Sequence, residues 1–326
     1  MNAIIEQTAQ FAVRRAMPLA HHAGPERRGL GNSHQGNAVN SAKFSQKPMV
    51  TLARFVMGRL DRVASGLAAR MTYSLISSPP RHRPSDAEVV LRASARQWKI
   101  PFQDGWLQCY RWGKGPQCLF VHCWGGRGTQ PEAMIRQLTQ SGLSVVSFDH
   151  PAHGLSSGTW SEQMRMAQAT AAVIHDVGPI NTVIAHSLGV AATAIALRDY
   201  ELKVHRIVSI SSLTDCTWFT NVIGAYLGIS TQTVAKARAR MDANYAKPLG
   251  WDTLSIPHML AHLKIPMLLV HDRDDHEIPF EHALKIQQTL QHAELMATSG
   301  LGHRRILKDT AVIDQISRFA HLGQPS

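Results

Sequence analysis

Four short runs, "LSVVSFD" (143–149), "NTVIAHS" (181–187), "VHRIVSIS" (204–211) and "PMLLVHD" (266–272), have apolar centres more continuous than those of the other β-rich runs and carry β-branched residues. A strand of this kind has no polar face for solvent and belongs in a sheet covered on both sides. Segments with helical period separate the runs, at about 129–141, 161–176, 188–199, 281–291 and 309–320. This alternation predicts βαβ units around a mostly parallel sheet. Two earlier runs, "LQCYRWG" (107–113) and "CLFVHCW" (118–124), and a last one, "AELMAT" (293–298), extend the sheet. The rhythm breaks once, where residues 213–264 intervene between consecutive strands. A gap of that length is too long for a bare loop, and "TVAKARARMDANYA" within it has helical pattern, so a helical cap inserted after the sixth strand is expected.

The charge is unevenly distributed. The chain has 326 residues and a net charge of +11, but residues 1–97 hold 14 Lys/Arg against 5 Asp/Glu, which leaves 20 against 18 for the remainder. A near-neutral body without a nucleic-acid-binding motif argues against an extended phosphate-binding surface and against a nucleic-acid partner. The four cysteines, Cys109, Cys118, Cys123 and Cys216, show no C-x-x-C pairing and read as free thiols in a reducing, cytoplasmic compartment, with metal ligation by them not expected. The N-terminus lacks the apolar core of a secretory signal, and no run approaches the length of a spanning helix.

Residues 1–48, rich in Gly, Asn, Ser, Gln and His, are expected to form a flexible tail, and Met49 is a conceivable alternative start. From Met49 to Met71, Leu52, Phe55, Val56, Leu60, Val63 and Leu67 recur at helical spacing with Arg54, Arg59, Arg62 and Arg70 interleaved. This basic amphipathic helix suits either peripheral contact with an anionic membrane, such as the inner membrane, or docking on the main domain. Soluble proteins use the second arrangement more often. A Pro-rich linker follows within residues 49–94, and residues 95–326 form the main domain with its cap at about 213–264.

The chemistry is concentrated around "TVIAHSLGV" (182–190). Ser187 ends a strand and opens a helix, with Ala185 two residues before it and Gly189 two after. Small residues there permit a tight turn that presents Oγ at the carboxyl edge of the sheet. The N–H of Leu188, at the helix start, can then donate to a developing oxyanion. The structural alternative is an ordinary N-cap serine. A serine hydroxyl needs a base, and the base needs an orienting group.

The stretch A-H-S-L-G resembles the nucleophile elbow of the α/β-hydrolase superfamily, with Ala185 at the first small position. Four further stretches carry the resemblance in the family's order over roughly residues 95–322. "FVHCWGG" (120–126) is similar to the oxyanion segment H-G-x-x-G, with Cys123 where glycine is usual, which implies the N–H of Trp124 as second oxyanion donor. "FDHPAHGLSSG" (148–158) is similar to the structural turn D-x-P-G-H-G-x-S, with Ala152 in place of a glycine. "LLVHDRDDHEIPF" (268–280) and "TSGLGHRRIL" (298–307) look like the segments that supply the acid and the base, which implies Asp275 and His303. Asp215, after the sixth strand, is the alternative acid.

The resemblance, closest in character to uncharacterised bacterial α/β hydrolases, implies a mostly parallel, eight-stranded-type sheet flanked by helices and a serine hydrolase. A carboxylic-ester hydrolase acting on a small acyl ester through an acyl-enzyme is the leading expectation, ahead of a thioesterase, lactonase or peptidase. A non-catalytic ligand-binding or membrane-associated protein on the same fold is the rival. No organic cofactor is implied. The carboxylates and imidazoles of "HDRDDHE" are also metal-ligand types, but the segment lacks the glycine and terminal glutamate of a calcium loop, so no metal is expected. His122, His150, His153 and His186 flank the motifs and are expected to pack around the site, while Trp218, Phe219, Val222, Ile223, Tyr226 and Leu227 could line an acyl pocket or fill the core of the cap.

Overall fold

The computed structural model describes residues 48–245 and 250–322. An eight-stranded sheet runs in the spatial order β1-β2-β4-β3-β5-β6-β7-β8. Its strands are β1 (Arg96–Phe102), β2 (Gly105–Trp112), β3 (Gln117–Val121), β4 (Ser144–Phe148), β5 (Ile180–His186), β6 (Val204–Ile210), β7 (Met267–Asp272) and β8 (Ala293–Thr298). β2 is antiparallel to both β1 and β4, and every later pairing is parallel. The continuously apolar runs become the central strands: β4 and β7 are buried at every position. Burial on both faces follows from the helices that connect parallel neighbours and must lie across the sheet.

The strand missing from the sequence expectation is β1. Only Ile100 of its seven residues is buried, Arg96, Gln97 and Lys99 face solvent, and Pro101 sits on an edge that tolerates a missing N–H. An edge strand with so little to bury leaves almost no hydrophobic signature. The basic helix also differs from its expected span. It is two helices, α1 (Pro48–Val63) and α2 (Ser65–Ser77), which break at Ala64 (φ −149°, ψ 61°). The presumed linker is partly helical: α3 (Asp86–Ala93) opens on a capping box in which Ser85 accepts from the Glu88 N–H and Glu88 reaches back to the Ser85 N–H.

The remaining helices are α4 (Glu132–Gln140), α5 (Gln163–Val177), α6 (Leu188–Asp199), α7 (Cys216–Leu227), α8 (Thr231–Asp242), α9 (Ile256–Leu260), α10 (Glu281–Thr289), α11 (Gly302–Arg305) and α12 (Thr310–His321). α7, α8 and α9 lie between β6 and β7 and form a helical insert. α1 and α2 pack on this insert: Asp61 accepts from the Ser230 N–H at 2.8 Å, and Lys236 donates to Ser65 at 2.7 Å. Among the described residues, no helix is long and apolar enough to cross a membrane. The expected tail, residues 1–48, lies almost wholly outside the described residues.

Candidate active site

Ser187 stands between β5 and α6 with φ 55° and ψ −123°, a conformation that strongly disfavours a side chain with a Cβ. Its neighbours make the turn possible. The Ser187 N–H donates to the Ile210 carbonyl at 2.8 Å, tying the turn to β6. Gly189 follows because a Cβ there would lie 2.5 Å from the Val121 carbonyl oxygen and 2.7 Å from that of His122, so only glycine lets α6 approach the end of β3. Leu188 is the first residue of α6, where an N–H has no acceptor within the helix.

The segment after β3 is held by its own imidazole. His122 Nε2 accepts from the His150 N–H at 2.9 Å, so its proton is on Nδ1, which lies 2.7 Å from the Cys123 carbonyl. The Gly126 N–H donates to the same carbonyl at 3.0 Å. Two donors on the Cys123 oxygen fix the plane of the peptide that carries the Trp124 N–H. Cys123 itself has no positive φ, so a side chain is carried there without backbone strain.

The crowded acids after β7 separate into distinct tasks. Asp272 accepts from the Asp274 N–H (3.0 Å), the Thr298 hydroxyl (2.7 Å) and the Leu301 N–H (3.0 Å), and Asp274 accepts from the Gly300 N–H (2.7 Å). These two carboxylates shape the loop after β8. Asp275 turns the other way: Oδ1 accepts from the N–H groups of Glu277 (2.8 Å) and Ile278 (2.9 Å), while Oδ2 lies 2.8 Å from His303 Nδ1. Asp215 is not in this group. Its Oδ1 accepts from the Trp218 N–H at 2.7 Å and the Thr217 hydroxyl at 2.5 Å, which makes it the N-cap of α7.

The titration behaviour of the pair follows from this geometry. Burial opposes ionisation of Asp275, but the charge and hydrogen bond of His303 and the Ile278 N–H outweigh it and hold the carboxyl at about 2. Burial likewise opposes protonation of His303, yet Asp275 on one side and Glu277 on the other raise it above the ordinary imidazole value. Glu277 Oε2 stands 3.9 Å from His303 Nε2, and Glu277 also pairs with Arg304, whose Nε is 3.0 Å from Oε1. Two further histidines brace the loops. His186 Nε2 lies 3.0 Å from the His303 carbonyl, and His271 Nε2 lies 2.8 Å from that of Ile278. His150 and His153 are buried beside His122, and burial lowers the basicity of both, His153 to about 4.

Ser187, Leu188, Trp124, Cys123 and His303 line one cavity that opens to solvent. The insert contributes Trp218, Phe219, Val222 and Ile223 to its wall, and Glu277, Ile278 and Arg304 form the rim beside His303. Pro80, from the segment read as a linker, also reaches this wall. Its part was not legible, because the contact joins segments distant in sequence. Tyr226 and Leu227 belong to the buried core instead. Among the described residues, no group of three or more His, Cys, Asp or Glu is arranged to hold a metal ion.

The sheet order, the strained turn at Ser187 and the loop positions after β3, β7 and β8 coincide with sequence matches. The family model for the alpha/beta hydrolase fold matches residues 118–227, and the model for TAP-like proteins matches residues 237–325. The chain has the α/β-hydrolase fold. Solved members of similar fold include the Pyrococcus furiosus esterase Pf2001, with a TM-score of 0.57 and 17% identity, covering 75% of this chain and 96% of that one. A putative lipase of Acinetobacter baumannii AYE gives 0.55 and 15%, covering 74% and 99%. The bromoperoxidase of Bacillus anthracis gives 0.53 and 13%, covering 70% and 99%. No curated protein matches this chain in sequence.

Proposed function

We propose that this α/β hydrolase is a serine hydrolase that cleaves carboxylic esters through an acyl-enzyme. The observation that carries the reading is the convergence on one cavity of Ser187, in its strained turn, and His303, whose Nδ1 faces Asp275 at 2.8 Å. His303 Nε2 takes the Ser187 proton as Oγ attacks the ester carbonyl carbon. The carbonyl oxygen becomes an oxyanion, which the N–H groups of Leu188 and Trp124 receive. As the tetrahedral intermediate collapses, the ester C–O bond breaks and the leaving alkoxide takes the proton from His303. Water then gives a proton to His303 and attacks the acyl carbon, and Ser187 recovers its proton as the acid departs.

Asp275 fixes the proton-bearing face of the imidazole and stabilises the cation formed in each half-reaction. The apolar wall supplied by the insert as a cap suits an acyl chain. Esterase and lipase neighbours support ester chemistry, although a thioesterase domain from the curacin biosynthetic pathway shares the fold at 16% identity.

The test is hydrolysis of p-nitrophenyl esters of graded chain length. Ser187→Ala and His303→Ala should each lower kcat by about four to six orders of magnitude, and the double variant should fall little further, because such residues act as a unit. Asp275→Asn should lose far more activity than Asp215→Asn, since Asp215 lies outside the Asp275–His303 pair and an asparagine oxygen can still accept from the Trp218 N–H and cap α7. Additive losses at Ser187 and His303, or a larger loss at Asp215, would refute the assignment.

A further inference from the structure

The helices α1 and α2 have two opposite faces. Met57, Asp61, Ala68, Ala69, Thr72 and Ile76 turn toward the protein, where Asp61 caps α8 through the Ser230 N–H and hydroxyl and the Thr233 hydroxyl. Asp61 is the only acidic residue between positions 48 and 77, and it is spent on this inner contact. The outer face carries Leu52 (61% exposed), Phe55 (60%), Val56 (48%), Val63 (82%) and Leu67 (51%). Exposed Arg59, Arg62 and Arg70 lie among them, and the Arg59 guanidinium stacks over the Phe55 ring at 5.2 Å.

A helix docked only for stability would turn its large side chains inward, whereas here the inner contact is complete and a second apolar stripe remains in water. Its composition specifies the occupant. Apolar side chains flanked by arginines, with no acid facing out, match an anionic lipid interface, into which the apolar groups enter while guanidinium groups meet headgroup phosphates. The preceding 47 residues add six Lys/Arg against two Asp/Glu, so the charge complementarity extends along the chain. We infer that the outer face of α1 and α2 docks this protein on an anionic phospholipid surface. The chain continues from α2 within three residues to Pro80 in the wall of the Ser187 cavity, so docking anchors a segment that also builds that cavity.

The test is flotation of the full chain with vesicles of phosphatidylcholine alone and of phosphatidylcholine mixed with phosphatidylglycerol. The full chain should float with the mixed vesicles and not with phosphatidylcholine, and added salt should weaken the association. Leu52→Ser combined with Phe55→Ser should lower binding at least about tenfold, as should Arg59→Glu combined with Arg62→Glu, the two variants separating the apolar from the electrostatic contribution. Thermal unfolding checks that each variant folds, and all four side chains are exposed enough to be replaced without opening the core. Failure of the folded wild-type chain to float, or equal flotation of wild type and both variants, would overturn the inference. So would a self-associated state that the same substitutions dissolve without lipid, since the face would then be covered by a second copy. Flotation does not depend on Ser187, so this outcome is independent of the ester-hydrolase reading.

Discussion

Ser187 and His303 differ in what holds them. The serine is held by backbone: a sparsely populated conformation of this kind costs on the order of 1–3 kcal/mol, and the Ile210 carbonyl and the close seat of Gly189 on β3 keep it in place. The imidazole is held by charge. Asp275 lies below His303 in titration by a wide margin and stays ionised throughout the range in which His303 changes state, so the low-pH limb of kcat/KM reports His303 alone. In the proposed mechanism His303 works as the neutral imidazole, and it is raised, so activity should climb through a midpoint above the ordinary imidazole value. Glu277 contributes to that elevation. Glu277→Gln removes a negative charge near Nε2 and should move the limb to lower pH while leaving a measurable ester-hydrolase activity, as a pH profile on a p-nitrophenyl ester would show. A limb that stays in place or moves up would contradict the electrostatic account. Ser187, Asp275 and His303 could be singled out in the sequence because each follows a strand and carries a local motif. Glu277 and Arg304 were not legible as a pair, since they meet only when the loops after β7 and β8 come together.

The turn that follows β4 shows how one element is stabilised from far away. Asp149 at its start accepts from the Gly128 N–H (2.7 Å), the Leu155 N–H (2.8 Å) and the Tyr110 hydroxyl (2.8 Å). Arg81 closes the other side, donating to the carbonyls of Ala152 (3.0 Å), Gly154 (3.3 Å), Ser156 (2.9 Å) and Gly158 (2.9 Å). The motif marked the turn, but nothing local announced Arg81, which lies 71 residues before Ala152. Ala152 occupies the place where the family pattern has glycine, and it does so at φ 64°, a left-handed conformation that costs a residue with a Cβ on the order of 1 kcal/mol. Ala152→Gly should therefore stabilise the protein by roughly 0.5–1 kcal/mol, read as a higher denaturant midpoint at unchanged slope. A lower midpoint would mean that the methyl group, which is buried, contributes more packing than the backbone loses in strain.

At the scale of the molecule, the sheet was the most legible part and the N-terminal region the least. Central strands buried on both faces carry a continuous apolar signal, as β4 and β7 do. β1 and α3 depend on a few contacts each and carry little. The helical character of the insert was visible in its spacing, but the division of its aromatic residues between cavity wall and core was not. Trp218 and Phe219 line the cavity, whereas Tyr226 lies in the core, where Arg54 of α1 packs over its ring. The same holds for α1 and α2, whose amphipathic pattern concealed an inner face that grips the insert and an outer face that stays exposed. The architecture thus brings three distant parts of the chain, residues 80, 124 and 218–223, around one serine at the carboxyl edge of the sheet. The central claim is that this serine is an activated nucleophile, and reaction of the purified chain with a fluorophosphonate, followed by mass spectrometry of its peptides, tests it most directly. The account predicts a single phosphonylated site at Ser187, lost in Ser187→Ala and strongly slowed in His303→Ala. Folded protein that remains unlabelled, or labelled at another serine, would contradict it.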